Sequence, residues 1–164
     1  MTELNQVTAA VIRTLESAGL AAVAAYDGPA KRYPGAVTAV DVAEAVEKPA
    51  AFDRYLGQVC DPVTGAVEER YGRTLEVALS LEVRAPTAAE CLAGCERAAD
   101  ALLSGGLPAG LRLGQQSWEA VSWDKTNQMF LRKGRALGRA FFTATAEEDS
   151  GLMLHFILKG VVTT

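Results

Sequence analysis

The chain has 164 residues, 49% of them apolar and 22% charged, and a formal net charge of −4. That balance excludes a disordered polyelectrolyte, and the acidic excess argues against a protein that coats nucleic acid with its whole surface. The longest apolar runs, Leu20 to Tyr26 and Phe156 to Val162, fall far short of the roughly 20 residues that span a bilayer.

One domain over residues 1–164 is expected, long enough to bury roughly two thirds of the surface its unfolded form exposes. The chain opens on a polar, acidic turn at Glu3, without the basic start and apolar run of a secretory signal, so synthesis in the cytoplasm is expected. Cys60, Cys91 and Cys95 make an odd count, which speaks for reduced thiols rather than a disulfide framework.

Leu4, Val7, Val11, Leu15 and Ala18 recur at helical spacing ahead of Gly19, predicting an amphipathic helix over residues 3–18 whose other face, with Asn5, Gln6, Arg13 and Glu16, stays wet. A small-residue strand follows over 21–26, broken by Asp27-Gly28-Pro29, with a loop to Gly35. Residues 36–45, rich in Val and Ala, predict a mostly buried strand. Between Glu47 and Arg73, Pro49, Asp61-Pro62 and Thr64-Gly65 punctuate the chain. The expectation there is a projecting hairpin or long loop, with Tyr55, Val59, Val67 and Tyr71 lining one face.

Leu75, Val77, Leu79, Leu81 and Val83 alternate with polar or small residues, the pattern of a strand with one face in the core. Pro86 ends it, and Thr87 with Glu90 forms a capping box in which each side chain satisfies the other's free N–H. The helix that starts there carries an apolar stripe of Cys91, Cys95, Ala98 and Leu102, ends at Ser104-Gly105-Gly106, and is expected beside the first helix. Residues 111–123 predict a strand, and 124–139 an exposed, basic stretch. Residues 140–146 and 152–162 predict a closing antiparallel hairpin around Glu147-Glu148-Asp149-Ser150-Gly151. The fold class expected is α+β, a largely antiparallel sheet with two helices on one face and an arm over 47–73.

Candidate chemistry is thin. Cys91 and Cys95 share a helix face, as two thiolate ligands would, but no second pair exists, so core packing is the better account. His155, the single histidine, lies between Leu154 and Phe156 with no nucleophile motif in the chain, which favours a structural role. Glu147-Glu148-Asp149 reads as a solvated hairpin tip rather than a catalytic pair. Gly57, Gly65, Gly72 and Gly105-Gly106 lack the lysine of a phosphate loop. Neither a catalytic residue, a metal nor a cofactor is expected.

Lys125, Arg132, Lys133, Arg135 and Arg139 crowd one segment with Met129, Phe130 and Leu131, and no acid interrupts it. As a nucleic-acid module it would use the cations for phosphates and Phe130 for stacking. As an intersubunit surface it would meet the acidic hairpin tip, or Glu68 and Glu69, of a neighbour. A third reading, a small enzyme using His155 with Cys60 or a carboxylate, has no second polar partner placed by any motif.

Residues 118–124 (Trp-Glu-Ala-Val-Ser-Trp-Asp), 129–132 (Met-Phe-Leu-Arg), 138–144 (Gly-Arg-Ala-Phe-Phe-Thr-Ala) and 154–161 (Leu-His-Phe-Ile-Leu-Lys-Gly-Val) resemble small minor tail proteins of phages and prophages. With the helix order, the layout resembles the tail terminator, or tail completion, family of long-tailed phages. The resemblance implies a structural virion subunit: a ring, hexameric in that family, that caps the tail tube, ends its polymerisation and presents a surface to the head–tail connector protein. The implied partners are further copies of the chain, the tube protein and the connector, with no membrane. The implied locations are the host bacterial cytoplasm during assembly and then the virion tail. A contractile particle such as a tailocin would use the same fold for the same task.

Overall fold

The computed structural model describes residues 3–26, 33–49, 54–147 and 155–161. It is an α+β protein. In chain order the elements are α1 (Glu3–Ser17), β1 (Ala21–Val23), β2 (Val37–Pro49), β3 (Tyr55–Cys60), β4 (Val67–Ala85), α2 (Ala88–Leu103), β5 (Leu111–Trp118), β6 (Ser122–Asp124), β7 (Met129–Glu147) and β8 (Ile157–Leu158). The main path of the sheet runs β1-β2-β4-β7-β5, with β3 on β4, and β6 and β8 on β7. Only β1 and β2 pair in parallel among the described strands.

The alternation along β4 does what it predicts. Leu75, Val77, Leu79, Leu81 and Val83 are buried, and they join Val7, Val11 and Leu15 of α1 and Ala98 and Leu102 of α2 in the core. Each large apolar side chain taken out of water there contributes about 1.5–3 kcal/mol. Both helices therefore lie on one face of the sheet. Gly19, at φ 76°, ends α1 in the left-handed conformation that glycine adopts without a Cβ clash. Thr87 caps α2, accepting from Glu90 N at 3.2 Å; its hydroxyl donates to the Glu90 carboxylate at 2.8 Å, so the two side chains meet each other directly.

Several expectations need correction. Gln6 is not on the wet face: its side chain donates to Phe156 O at 2.9 Å and accepts from Leu158 N at 2.8 Å, fastening β8 to α1. The loop or hairpin expected over 47–73 is partly continuous with the core strands. β2 runs on to Pro49, and β4 begins at Val67 and spans 19 residues. The projecting piece is thus β3 with the first turns of β4 and the end of β7, where β3 takes over from β2 as the neighbour of β4. A bulge between Tyr55 and Gly57 sets Val59 opposite Glu68, so Val59 leaves the face that Tyr55, Val67 and Tyr71 share. The strand expected over 111–123 is two, β5 and β6, both paired with β7. Residues 152–162 contribute only Ile157–Leu158 to the sheet, within the described residues, and the acidic turn at 148–151 lies outside them.

The largest correction concerns residues 124–139. Their cations Lys133, Arg135 and Arg139 are exposed, but from Met129 onward the stretch is β7, a central strand flanked by β4 over Phe130–Glu147, whose other face is buried. No helix among the described residues is long and apolar enough to cross a membrane.

Candidate functional site

A central strand must put one face in the core, and over its middle β7 does so with small residues before Phe142 takes an inward position. Gly134, Ala136, Gly138, Ala140 and Ala144 alternate with Lys133, Arg135, Leu137, Arg139 and Phe141. The inward positions are small because neighbours fill the space: a Cβ on Gly134 would lie 2.5 Å from the Trp118 ring, and one on Gly138 would lie 2.5 Å from Arg112 O and from the Leu113 side chain. The outward positions are long and charged. On the sheet face away from both helices, Lys133, Arg135, Leu137 and Arg139 form an exposed row down the middle.

That face is divided by charge. Beside the β7 row stands Arg112 of β5, directly opposite Arg139. On the other side β4 offers Glu76 and Glu82, and β2 offers Asp41 and Glu44. The two halves touch: Arg135 Nη2 lies 2.6 Å from Glu44 Oε2 and Arg139 Nη2 3.5 Å from Glu76 Oε1, while Lys48, a cation on β2 within the acidic half, reaches the same Glu76 oxygen at 2.7 Å. Lys48, by hydrogen bond and charge, and then Arg139 hold the Glu76 carboxyl below its ordinary range. Between the halves lies an open trough of about 580 Å³ floored by Ala78 and flanked by Glu44, Val46, Arg112, Leu137 and Arg139. The surface is suited to docking a broad, charged partner face.

The predicted interface residues do not form one patch. Lys125 is exposed in the β6–β7 turn, and Met129 is a core residue, 7% exposed, with its sulfur 2.9 Å from Tyr26 Oη. Phe130 is half-buried; it packs edge-on against Trp123 at 4.9 Å and borders the cluster of Val83, Ala85, Cys91 and Cys95. Arg132 points to the helix side, donating from Nε to Glu119 O at 2.7 Å with its guanidinium over Trp118. Lys133, Arg135 and Arg139 remain together on the outer face. Glu68 and Glu69 sit on the projecting part of β4, pointing to opposite sides, with Glu69 accepting from Tyr71 Oη at 2.6 Å. Sequence reasoning missed Arg112, Leu137, Glu44 and Glu76. The period-two alternation of small and charged residues over 133–140 was the available signal.

The wall of this end of the sheet is polar and well tied. Arg84 is 8% exposed; it meets Glu82 at 2.8 Å and Asp124 at 3.2 Å, and stacks on the Tyr26 ring at 4.7 Å. Cys91 and Cys95 are buried, and loss of water pushes both thiols up, Cys95 to about 12. Cys60 is exposed at the end of β3. His155, expected on a strand, lies just before β8 and is exposed, with no hydrogen bond or ion pair among the described residues. No group of three or more His, Cys, Asp or Glu side chains placed to hold a metal occurs among the described residues.

What the fold and this surface define is an α+β chain that carries a charge-partitioned sheet face, with no helix over it among the described residues. No protein-family model matches the chain, and no curated protein matches it.

Proposed function

We propose that this chain is a non-catalytic, self-assembling structural subunit of the phage tail-terminator kind. In this reading copies form a ring, probed first as a hexamer, that caps a tail tube, ends its growth and receives the head–tail connector. The observation that carries the reading is the outer sheet face, with cations on β7 and β5 and acids on β4 and β2. A ring closes through repeated head-to-tail contacts, which need two different, complementary patches on one subunit. The projecting β3–β4 segment adds exposed Tyr55, Leu56, Val59 and Val63, apolar surface suited to the tube or the connector. Assembly would take place in the host cytoplasm, and the product would be part of the virion tail.

Light scattering with negative-stain imaging of the purified chain tests this: closed rings are expected, and a monomer at every concentration up to the millimolar range would overturn it. Reversing Arg135 and Arg139 to Glu should lower the oligomer mass, and an unchanged mass would remove these residues from the interface.

Nucleic acid is the competing partner for the row Lys133, Arg135 and Arg139. Glu44 and Glu76, 2.6 and 3.5 Å from two of those cations, would meet any approaching phosphate and repel it. A gel-shift titration should accordingly show no binding that weakens steeply with salt.

A further inference from the structure

β2 and β5 end the antiparallel part of the sheet, and both carry an open edge. β1 covers only Val37 to Ala39 of β2, and β5 has β7 on one side; among the described strands nothing pairs with the outer edge of residues 41–49 or of β5. Unpaired strand edges present rows of N–H and C=O groups that template pairing with another chain. Building on the self-assembly reading, we infer that β2 of one copy pairs through this edge with β5 of the next copy, extending one antiparallel sheet from subunit to subunit.

Direction supports the pairing. β2, β4, β7 and β5 are each antiparallel to the next, so β2 and β5 run in opposite senses. Setting β5 of a second copy beside β2 therefore continues the alternation without a break, and repeating that step with a fixed rotation closes a ring.

Charge selects this pairing over its two-fold alternatives. Residues 41–49 of β2 carry Asp41, Glu44 and Glu47 against Lys48, whereas Arg112 is the one charged residue in β5. Pairing β2 with β2 would bring acids together, and β5 with β5 would bring the two Arg112 side chains together. The monomer also leaves a conflict that an acidic edge resolves. Arg112 stands directly across from Arg139, a like-charge pair, and makes no ion pair among the described residues. Across the sheet, Arg112, Arg139, Glu76 and Val46 form one row, with Glu44 two residues along on the same face. With little stagger between copies, Arg112 arrives beside Val46, with Glu44 on one diagonal and Lys48 on the other, each roughly 7–8 Å away between Cα atoms; Lys48 is already paired with Glu76 at 2.7 Å, which leaves Glu44 and Asp41 as the charges that face Arg112.

The test uses Arg112→Glu and Glu44→Lys, both at exposed positions, with circular dichroism to confirm folding. At low salt each variant alone should fall to the 17.3 kDa monomer mass, because on the sheet face that Arg112 shares with Asp41, Glu44 and Lys48 the two edges then carry the same net sign. A one-to-one mixture should recover the wild-type mass, since every contact in an alternating ring is then complementary. Amide exchange should be at least tenfold slower over 44–48 and 111–118 in the oligomer than in either variant. Wild-type rings whose mass and edge exchange are untouched by the variants would overturn the edge pairing and leave the ring standing. A wild-type chain that never leaves the monomer would overturn both.

Discussion

Arg135 and Glu44 meet at 2.6 Å although a whole strand lies between them. Arg135 stands on β7, Glu44 on β2, and the bond passes over β4 where its residues are Ala78 and Ser80. Larger side chains there would hold the charged halves apart, so the small residues of β4 are part of the charge pattern.

That pair should carry little of the folding free energy. Its side chains are 52% and 68% exposed, and exposed pairs are worth about 0–1 kcal/mol. Arg135→Ala is expected to change the urea unfolding free energy by less than about 1 kcal/mol. A larger loss in the monomer would mean that Arg135 supports the sheet rather than its surface.

Gly138 should be far less tolerant than its neighbour. A methyl group there would press on Arg112 O and on Leu113, so Gly138→Ala is expected to cost about 1–3 kcal/mol, the usual range for overpacking. Leu137→Ala, on the exposed face at 42%, should cost clearly less. Thermal melts of the two variants side by side would check the order.

Thiol reactivity should separate one cysteine from two. Cys60 is exposed while Cys91 and Cys95 are buried, so a thiol reagent at pH 8 should label one site in the native chain and three after unfolding. The raised Cys95 pKa adds an alkaline dependence. The folded chain keeps the proton while the unfolded thiol loses it near 9, so this stability is complete below pH 9 and lost progressively between 9 and about 12. Cys95→Ala should flatten that alkaline loss in denaturation curves taken from pH 8 to 11.

Asp124 should matter at the opposite end of the pH scale. Its carboxylate accepts from Asn127 Nδ2 at 2.7 Å, from Thr126 N at 3.0 Å and from Arg84 Nε at 3.2 Å. The Asn127 amide and then Arg84 hold its pKa below 3.8. The stability this contributes is present above pH 3.8 and lost as the pH falls through the lowered value. Asp124→Ala is expected to cost about 1–3 kcal/mol at pH 7. The gap between variant and wild type should narrow as the pH is lowered below 3.8 and the carboxylate takes up its proton.

The elements with strong local signals were legible. The spacing of Val7, Val11 and Leu15, the stop at Gly19, the cap at Thr87 and the alternation of Leu75 to Val83 each encode a helix or strand within a few turns of chain, and the structure contains all of them. The 47–73 region was harder, because its exposed strands carry no apolar alternation; β3 is held by pairing with β4, which local composition does not reveal. The strand expected over 140–146 is the second half of β7, but its first half, from Met129, was missed for a related reason. Over 133–140 its inward residues are glycine and alanine, which read as loop or neutral, while its outward residues are mostly Lys and Arg, which read as solvent.

The candidate surface was legible only in part. Lys133, Arg135 and Arg139 were recognised as a basic cluster, but Arg132 and Met129, counted with them, belong to the other face and to the core. Glu44, Glu76 and Arg112 lie up to 95 residues from those cations in the chain and join them only through strand pairing.

From sequence alone, the local periods and caps determined which segments become the two helices and the core strand β4, since those depend on neighbours a few residues apart. Strand order and register were decided by the tertiary structure, because hydrogen bonding between distant segments chooses which side chains share a face. That choice turned a basic run of sequence into one half of a divided surface, and supplied the acidic half from elsewhere.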